Sequence, residues 1–215
     1  MECKPLSITY GVRFKTFLYP LTFHELVDSL EKKGYEISPE LPLPRPPGRM
    51  TGIGEIARKG KTVIVVDTSA QALTVGDISI RSALDTFDDI VKMLKEDYRV
   101  DINDFARFYR FAAIYEFPAK KQAYETIAKS LRFSIFDSLE EIMDEKIWPF
   151  ELRFGGAGLK VNSEKWFDVT VRPNFERNDS YIISVVFRNS ERIKTLKFME
   201  SFEERMSKVI RLIEG

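Results

Sequence analysis

Cysteine is almost missing from this chain: Cys3 is the only one in 215 residues, which excludes a disulfide framework and a thiolate metal cluster. Histidine is as scarce, with His24 alone, and a single imidazole makes a poor metal centre. The expected set of metals and cofactors is therefore empty. No apolar run approaches the ~18–20 residues of a membrane span. The opening Met-Glu-Cys-Lys-Pro lacks the apolar stretch of a signal peptide. Cytoplasmic residence without a membrane partner is the expectation, and a free thiol fits it. A charge excess is also absent. Residues 1–104 hold 14 Lys/Arg against 16 Asp/Glu, and residues 105–215 hold 19 against 17. Neither half has the basic surplus of a protein that grips a phosphate backbone mainly by charge, so nucleic acid ranks low among expected partners. Amides are few, two Gln and five Asn against 66 charged residues, a balance typical of heat-adapted proteins.

What is present is an ordinary globular composition, 44% hydrophobic and 31% charged, with periodic segments throughout. Ile8, Tyr10, Val12 and Phe14 alternate with Ser7, Thr9, Arg13 and Lys15, the period of a half-buried strand over 7–18. Thr22 and Glu25 form a capping box for a helix, with Leu21 and Leu26 as its staple. Phe23, Leu26, Val27 and Leu30 make the apolar stripe of that helix, and Gly34 its stop. Residues 38–48 hold five of the ten prolines and read as an extended loop. Strands are expected near 50–58 and 61–68, joined at Lys59-Gly60, and near 71–76. Ser82 is placed to cap a second helix carrying Leu84, Phe87, Ile90, Val91 and Leu94.

A second alternating strand covers 105–117, followed by helical segments near 119–131 and 136–146. Gly155-Gly156-Ala157-Gly158 reads as the turn of a hairpin between Phe150–Phe154 and Leu159–Val161, and Asn178-Asp179 as the turn between Trp166–Val171 and Tyr181–Phe187. A final helix from about 195 carries Leu196, Met199, Phe202, Met206, Val209, Ile210 and Ile213. Both halves thus run strand, helix, strands, helix. Asp85-Thr86-Phe87-Asp88-Asp89 is echoed by Glu200-Ser201-Phe202-Glu203-Glu204 at an offset of 115, and Phe23-x-x-Leu26 by Phe136-x-x-Leu139 at an offset of 113. The expected fold is α+β: two similar β-α-β(3–4)-α halves, residues 1–104 and 105–215, forming one continuous antiparallel sheet with helices on one face. In element order alone this resembles the TATA-binding-protein-like fold, with no family sequence motif matched. That resemblance implies architecture and leaves function open.

Several short motifs suggest chemistry. Gly60-Lys61-Thr62 before Val63–Asp67 evokes a phosphate-binding loop, but Glu55 stands where the first glycine belongs, and the Lys-Thr pair enters a strand instead of a helix. Gly52-x-Gly54 likewise precedes a strand and has Ala57 at its third position. Asp67 ends an apolar strand beside Thr68 and Ser69, where an acid either serves as a base or closes the strand with side-chain-to-backbone hydrogen bonds. An enzyme reading would use Asp67 and His24, though nothing in the spacing gives either a partner. Arg107-Phe108-Tyr109-Arg110-Phe111 interleaves arginines and aromatics, but alternation puts Arg110 and Phe108 on one face and Arg107 with the remaining aromatics on the other. Arg45, Arg49, Arg58, Lys59 and Lys61 cluster around the proline-rich loop and first hairpin, the strongest local positive patch and the expected binding residues. The leading functional expectation is a binding or interaction protein, with a homodimer or protein partner. A small-molecule enzyme with its site between the halves is the alternative, and a saddle-type nucleic-acid binder a further one.

Overall fold

The computed structural model describes residues 3–16, 23–39, 53–161 and 163–215. Strand β1 (Lys4–Phe14) follows its alternation: Ile8, Tyr10, Val12 and Phe14 are buried, while Thr9 and Arg13 on the other side are half-buried. Helix α1 (Phe23–Lys32) buries Leu26, Val27 and Leu30. It stops at Gly34, whose φ of +80° is a left-handed conformation that glycine adopts without a Cβ penalty. The Gly34 N–H meets the Glu31 carbonyl at 2.9 Å and the Tyr35 N–H meets that of Leu30 at 3.1 Å, the two bonds of a Schellman motif. Thr22 and Leu21, the expected cap and staple, lie outside the described residues, as does most of the proline-rich stretch.

After the short β2 (Glu36–Ile37), β3 (Ile53–Lys59) and β4 (Thr62–Asp67) form the expected hairpin, with Gly60 at φ +62° as the first residue of its two-residue turn. β5 (Ala72–Asp77) leads into α2 (Ile80–Tyr98). The cap of α2 is Ser79, not Ser82: the Ser82 N–H donates to the Ser79 hydroxyl at 3.3 Å, so the helix starts earlier than its apolar stripe suggests. A single-turn α3 (Ile102–Phe105) takes Phe105 out of the strand that follows, β6 (Ala106–Pro118). Then come α4 (Ala123–Ser130), α5 (Ile135–Met143), β7 (Leu152–Gly155), β8 (Trp166–Pro173) and β9 (Ser180–Asn189). The glycine-rich hairpin expected at 150–161 does not form as drawn. β7 pairs with β8, Gly155 opposite Asp168, and Leu159–Val161 belongs to the connection between them. The final helix is broken into α6 (Arg192–Glu200) and α7 (Phe202–Glu214) at Ser201, whose hydroxyl donates back to the Lys197 carbonyl at 2.7 Å. This local bond competes with the helix ladder and bends the chain.

The nine strands of the described residues join one antiparallel sheet in the order β2-β3-β4-β5-β1-β6-β9-β8-β7. β1 and β6 lie at its middle, paired from Lys4–Glu116 to Phe14–Ala106. Reading outward from that pair, one side runs β5, β4, β3, β2 and the other β9, β8, β7. The sheet is therefore continuous across the halves, and the α+β expectation holds. α2 lies against β1, β4 and β5, α6 against β6 and β9, α4 against β8, and α1 against β2 and β3. One helical layer thus shares one core with the sheet. Aromatic rings fill the middle of this core: Phe202 meets Phe111 at 5.7 Å and Tyr115 at 5.3 Å, and Tyr10 meets Phe87 edge-on at 4.8 Å. Arg192 ties the two helical halves together by pairing with Asp88 while lying 5.5 Å over the Phe87 ring. The charged end of the seam is organised around Glu116, which accepts from the Ser180 hydroxyl at 2.8 Å and the Asn174 amide at 3.1 Å and faces Arg177 at 3.8 Å.

Two measurements test this packing. Phe202→Ala, at a fully buried site, is expected to cost about 3–5 kcal/mol in denaturant unfolding, since the aromatic cluster cannot close over the vacated ring. The Ser180 hydrogen bond, then Asn174 and the Arg177 charge, hold the Glu116 carboxyl below its usual range. A carboxylate with a depressed folded pKa stabilises above its unfolded value, about 4.3, and loses that contribution as pH falls through the folded value. Glu116→Gln should accordingly be less stable than the parent chain at neutral pH, with the gap closing in acid. A gap independent of pH would contradict this role.

Candidate functional site

The sheet face turned away from the helices carries the most unusual side chains of the protein. Its residues are dictated by alternation: Thr9, Gly11 and Arg13 from β1, Phe108 and Arg110 from β6, Arg188 from β9, and Trp166 from β8. Registry aligns them. Gly11 stands opposite Arg110, Arg110 opposite Arg188, and Arg188 opposite Trp166, with Arg13 opposite Phe108 in the neighbouring row. Directly opposed residues in such a ladder place their Cβ atoms about 4.5–5.5 Å apart, near enough for like charges to repel measurably.

Phe108 is 5% exposed although it sits on the face that no described helix covers. Arginines roof it: the Arg13 guanidinium lies 5.9 Å and that of Arg188 5.3 Å from its ring centroid, and Arg188 also lies 5.3 Å from Trp166. Cation–π attraction holds these planar groups flat against the rings. The electrostatics are unfavourable all the same. Burial pulls the Arg110 guanidinium below its ordinary range, and Arg188 is lowered by burial first and then by the charges of Arg110 and Arg13. Neither Arg13 nor Arg110 forms an ion pair among the described residues, and the Arg13 Nε is buried without a hydrogen-bond partner there.

These arginines border a hollow of about 380 Å3 on the open face, whose other walls include Ile53, Val65, Asp67, Ala72 and Thr74. Its floor is notched at Gly11. A Cβ there would stand 2.3 Å from the Leu73 carbonyl oxygen and 2.8 Å from the Thr74 Cα, so only glycine permits β1 and β5 to approach this closely.

The structure brings some of the expected site residues here and leaves others apart. Asp67 lines the hollow, but its Oδ1 accepts from the Ser69 hydroxyl at 2.7 Å and the Ala70 N–H at 2.8 Å, the strand-closing arrangement. His24 is exposed at the start of α1 and is not among the residues lining the hollow. Arg58 is held by a two-pronged bond to Glu55, both contacts at 2.9 Å, which lowers the Glu55 pKa. Lys59 sits 5.2 Å over the Tyr35 ring, and Lys61 is exposed in the β3–β4 turn. Arg45 and Arg49 lie outside the described residues. Among the described residues no group of three or more His, Cys, Asp or Glu is arranged to hold a metal, and no helix is long and apolar enough to cross a membrane.

No family model matches this chain, and no curated protein aligns with it significantly. The geometry of the open face therefore has to carry the functional reading alone. Arg13 and Arg110 are visible in the sequence as outward members of alternating strands. Their meeting with Arg188 and Trp166 is not, because it depends on β6 lying between β1 and β9. The pairing of the two strands that open the halves is the signal that assembles this row.

Replacing Gly11 with Ala is expected to lower the unfolding midpoint, because the clash at Gly11 is with backbone atoms that cannot rotate away. Thermal denaturation of the purified variant measures this, and an unchanged midpoint would show that β1 and β5 can separate freely.

Proposed function

We propose that this chain is a binding protein whose open sheet face takes an anionic ligand with a flat, apolar part, seated at the seam between the halves. The observation that carries this reading is the grouping of Arg13, Arg110 and Arg188 around Phe108 and Trp166, with Arg13 and Arg110 lacking any acidic partner among the described residues. Three cations drawn together and partly dehydrated cost folding stability. Packing alone does not call for guanidinium groups, since apolar side chains in their place would cover Phe108 without the charge. An anion repays the cost, because guanidinium forks match carboxylate and phosphate oxygens in pairs. The walls of Ile53, Val65 and Ala72 suit an apolar body attached to that anion.

Recognition accounts for this site better than catalysis. Asp67 is the one carboxylate lining the hollow among the described residues, and one of its oxygens is already engaged by the turn it closes. An acid working alone lacks the positioned partner that general acid–base chemistry requires. We also read residues 1–104 and 105–215 as two copies of one unit. The mirrored strand order about the β1–β6 pair and the two motif echoes support this, and the likeness to the TATA-binding-protein-like arrangement rests on the same order of elements.

Trp166 supplies a built-in reporter. In a Trp148→Phe background, which leaves Trp166 as the sole tryptophan, phenyl phosphate is expected to change its fluorescence saturably, and inorganic phosphate to bind more weakly. Arg110→Ala should weaken phenyl phosphate about tenfold or more, the size of one charge-assisted hydrogen bond. The same substitution should raise the melting temperature of the ligand-free protein by relieving repulsion. A response that never saturates, or one indifferent to Arg110 and Arg13, would sink this reading.

A further inference from the structure

Helix α5 is anomalous. Among the described residues every other helix contributes at least one buried side chain, whereas α5 contributes none. Ile135, Leu139, Ile142 and Met143 follow the i, i+4, i+7, i+8 spacing of a single apolar stripe, yet they are 62%, 36%, 76% and 62% exposed. A helix this amphipathic normally has its stripe covered. Its remaining surface is acidic: Asp137 and Glu140 are paired with Arg132, while Glu141, Asp144 and Glu145 have no ion-pair partner among the described residues, and no Lys or Arg occurs between residues 133 and 145.

A surface with the complementary chemistry lies elsewhere on the molecule. Between α6, α7 and the outer strands an open groove of about 500 Å3 is floored by Phe154, Phe167, Phe187, Phe198, Met206 and Val209. Its aromatic floor is rigid, with Phe187 and Phe198 stacked at 4.1 Å and 12°. The rim is basic: Lys194, Lys197 and Arg205 border it, and of these Lys194 alone has an ion-pair partner, Glu191, among the described residues.

The α5 of a chain is held away from that chain's own groove. Trp148, just after α5, stacks on Tyr124 of α4 at 5.6 Å, and the Tyr124 N–H donates to Asn178 in the β8–β9 turn at 2.9 Å. The groove sits where Phe167 pairs with Phe187, at the other end of the same strands. Six residues of extended chain, about 20 Å, separate Phe167 from Pro173 at the turn. We propose that the acidic, apolar helix α5 of one copy lies in the basic, aromatic groove of a second copy, and reciprocally, closing a two-fold dimer. Helix-in-groove docking of this kind is read through i, i+4, i+7 anchors, which α5 presents. The reciprocal exchange satisfies both apolar surfaces and both charge patterns, and it closes on itself without growing into fibres. The proposal is independent of the arginine site, which lies on the opposite face of the sheet.

Light scattering over a concentration series is the test. The unmodified chain should show twice the monomer mass, and Ile142→Glu should be a monomer that keeps the circular dichroism of the parent, since α5 contributes no buried side chain to its own chain. Lys197→Glu with Arg205→Glu should also dissociate the dimer. Adding Glu141→Lys and Asp144→Lys to that groove variant should restore it, which a general loss of folding would not allow. A monomer for the unmodified chain up to about 0.1 mM, a range in which specific contacts of this type are occupied, would overturn the proposal. So would a dimer whose mass survives Ile142→Glu, because that dimer would use another surface.

Discussion

Everything in this molecule hangs on the pairing of β1 with β6. These two strands, separated by roughly a hundred residues of chain, form the central antiparallel ladder from Lys4–Glu116 to Phe14–Ala106. The ladder turns two sheets, each with a free edge, into one sheet with its most exposed hydrogen-bonding groups sealed. It also fixes on which side each side chain falls, because a slip of one residue would exchange the faces of one strand relative to the other. Tyr10, Phe111 and Tyr115 meet the helices only in this register, and Arg13 and Arg110 meet each other's neighbours only in the same one.

The two faces of the sheet illustrate opposite uses of the same aromatic and basic residue types. Under the helices, rings pack against rings, and Arg192, which lies over Phe87, is matched by Asp88. On the open side, rings pack against arginines whose charges repel one another. The first arrangement pairs its charge, whereas the second leaves Arg13 and Arg110 without an ion pair among the described residues.

Much of the fold is legible in the linear sequence, for identifiable reasons. β1 and β6 show period-two alternation because one of their faces is fully buried. α1 carries a glycine stop, and its Schellman bonds confirm the reading of Gly34. Legibility fails where a competing local bond or a distant partner decides. Ser82 looks like a cap because it precedes the apolar stripe, but Ser79 wins by accepting from it. Ser201 breaks the last helix through a back-bond that no periodicity reveals. Leu159–Val161 has strand-like composition, but β8 already supplies β7 with its neighbour. The site was half visible: Asp67 could be read as a strand-closing turn residue, and Phe108 and Arg110 as companions on one face. Arg188 and Trp166 join them only through strand order, which is a property of the whole chain.

The outermost strands give the molecule a last physical character. β2 is two residues long and β7 four, so the nine-stranded sheet tapers at both sides. A taper of this kind offers an incoming strand too few backbone groups to begin a new ladder. Among the described residues such edges give an incoming strand little backbone to pair with, even though the interior of the sheet is long and rich in aromatic residues.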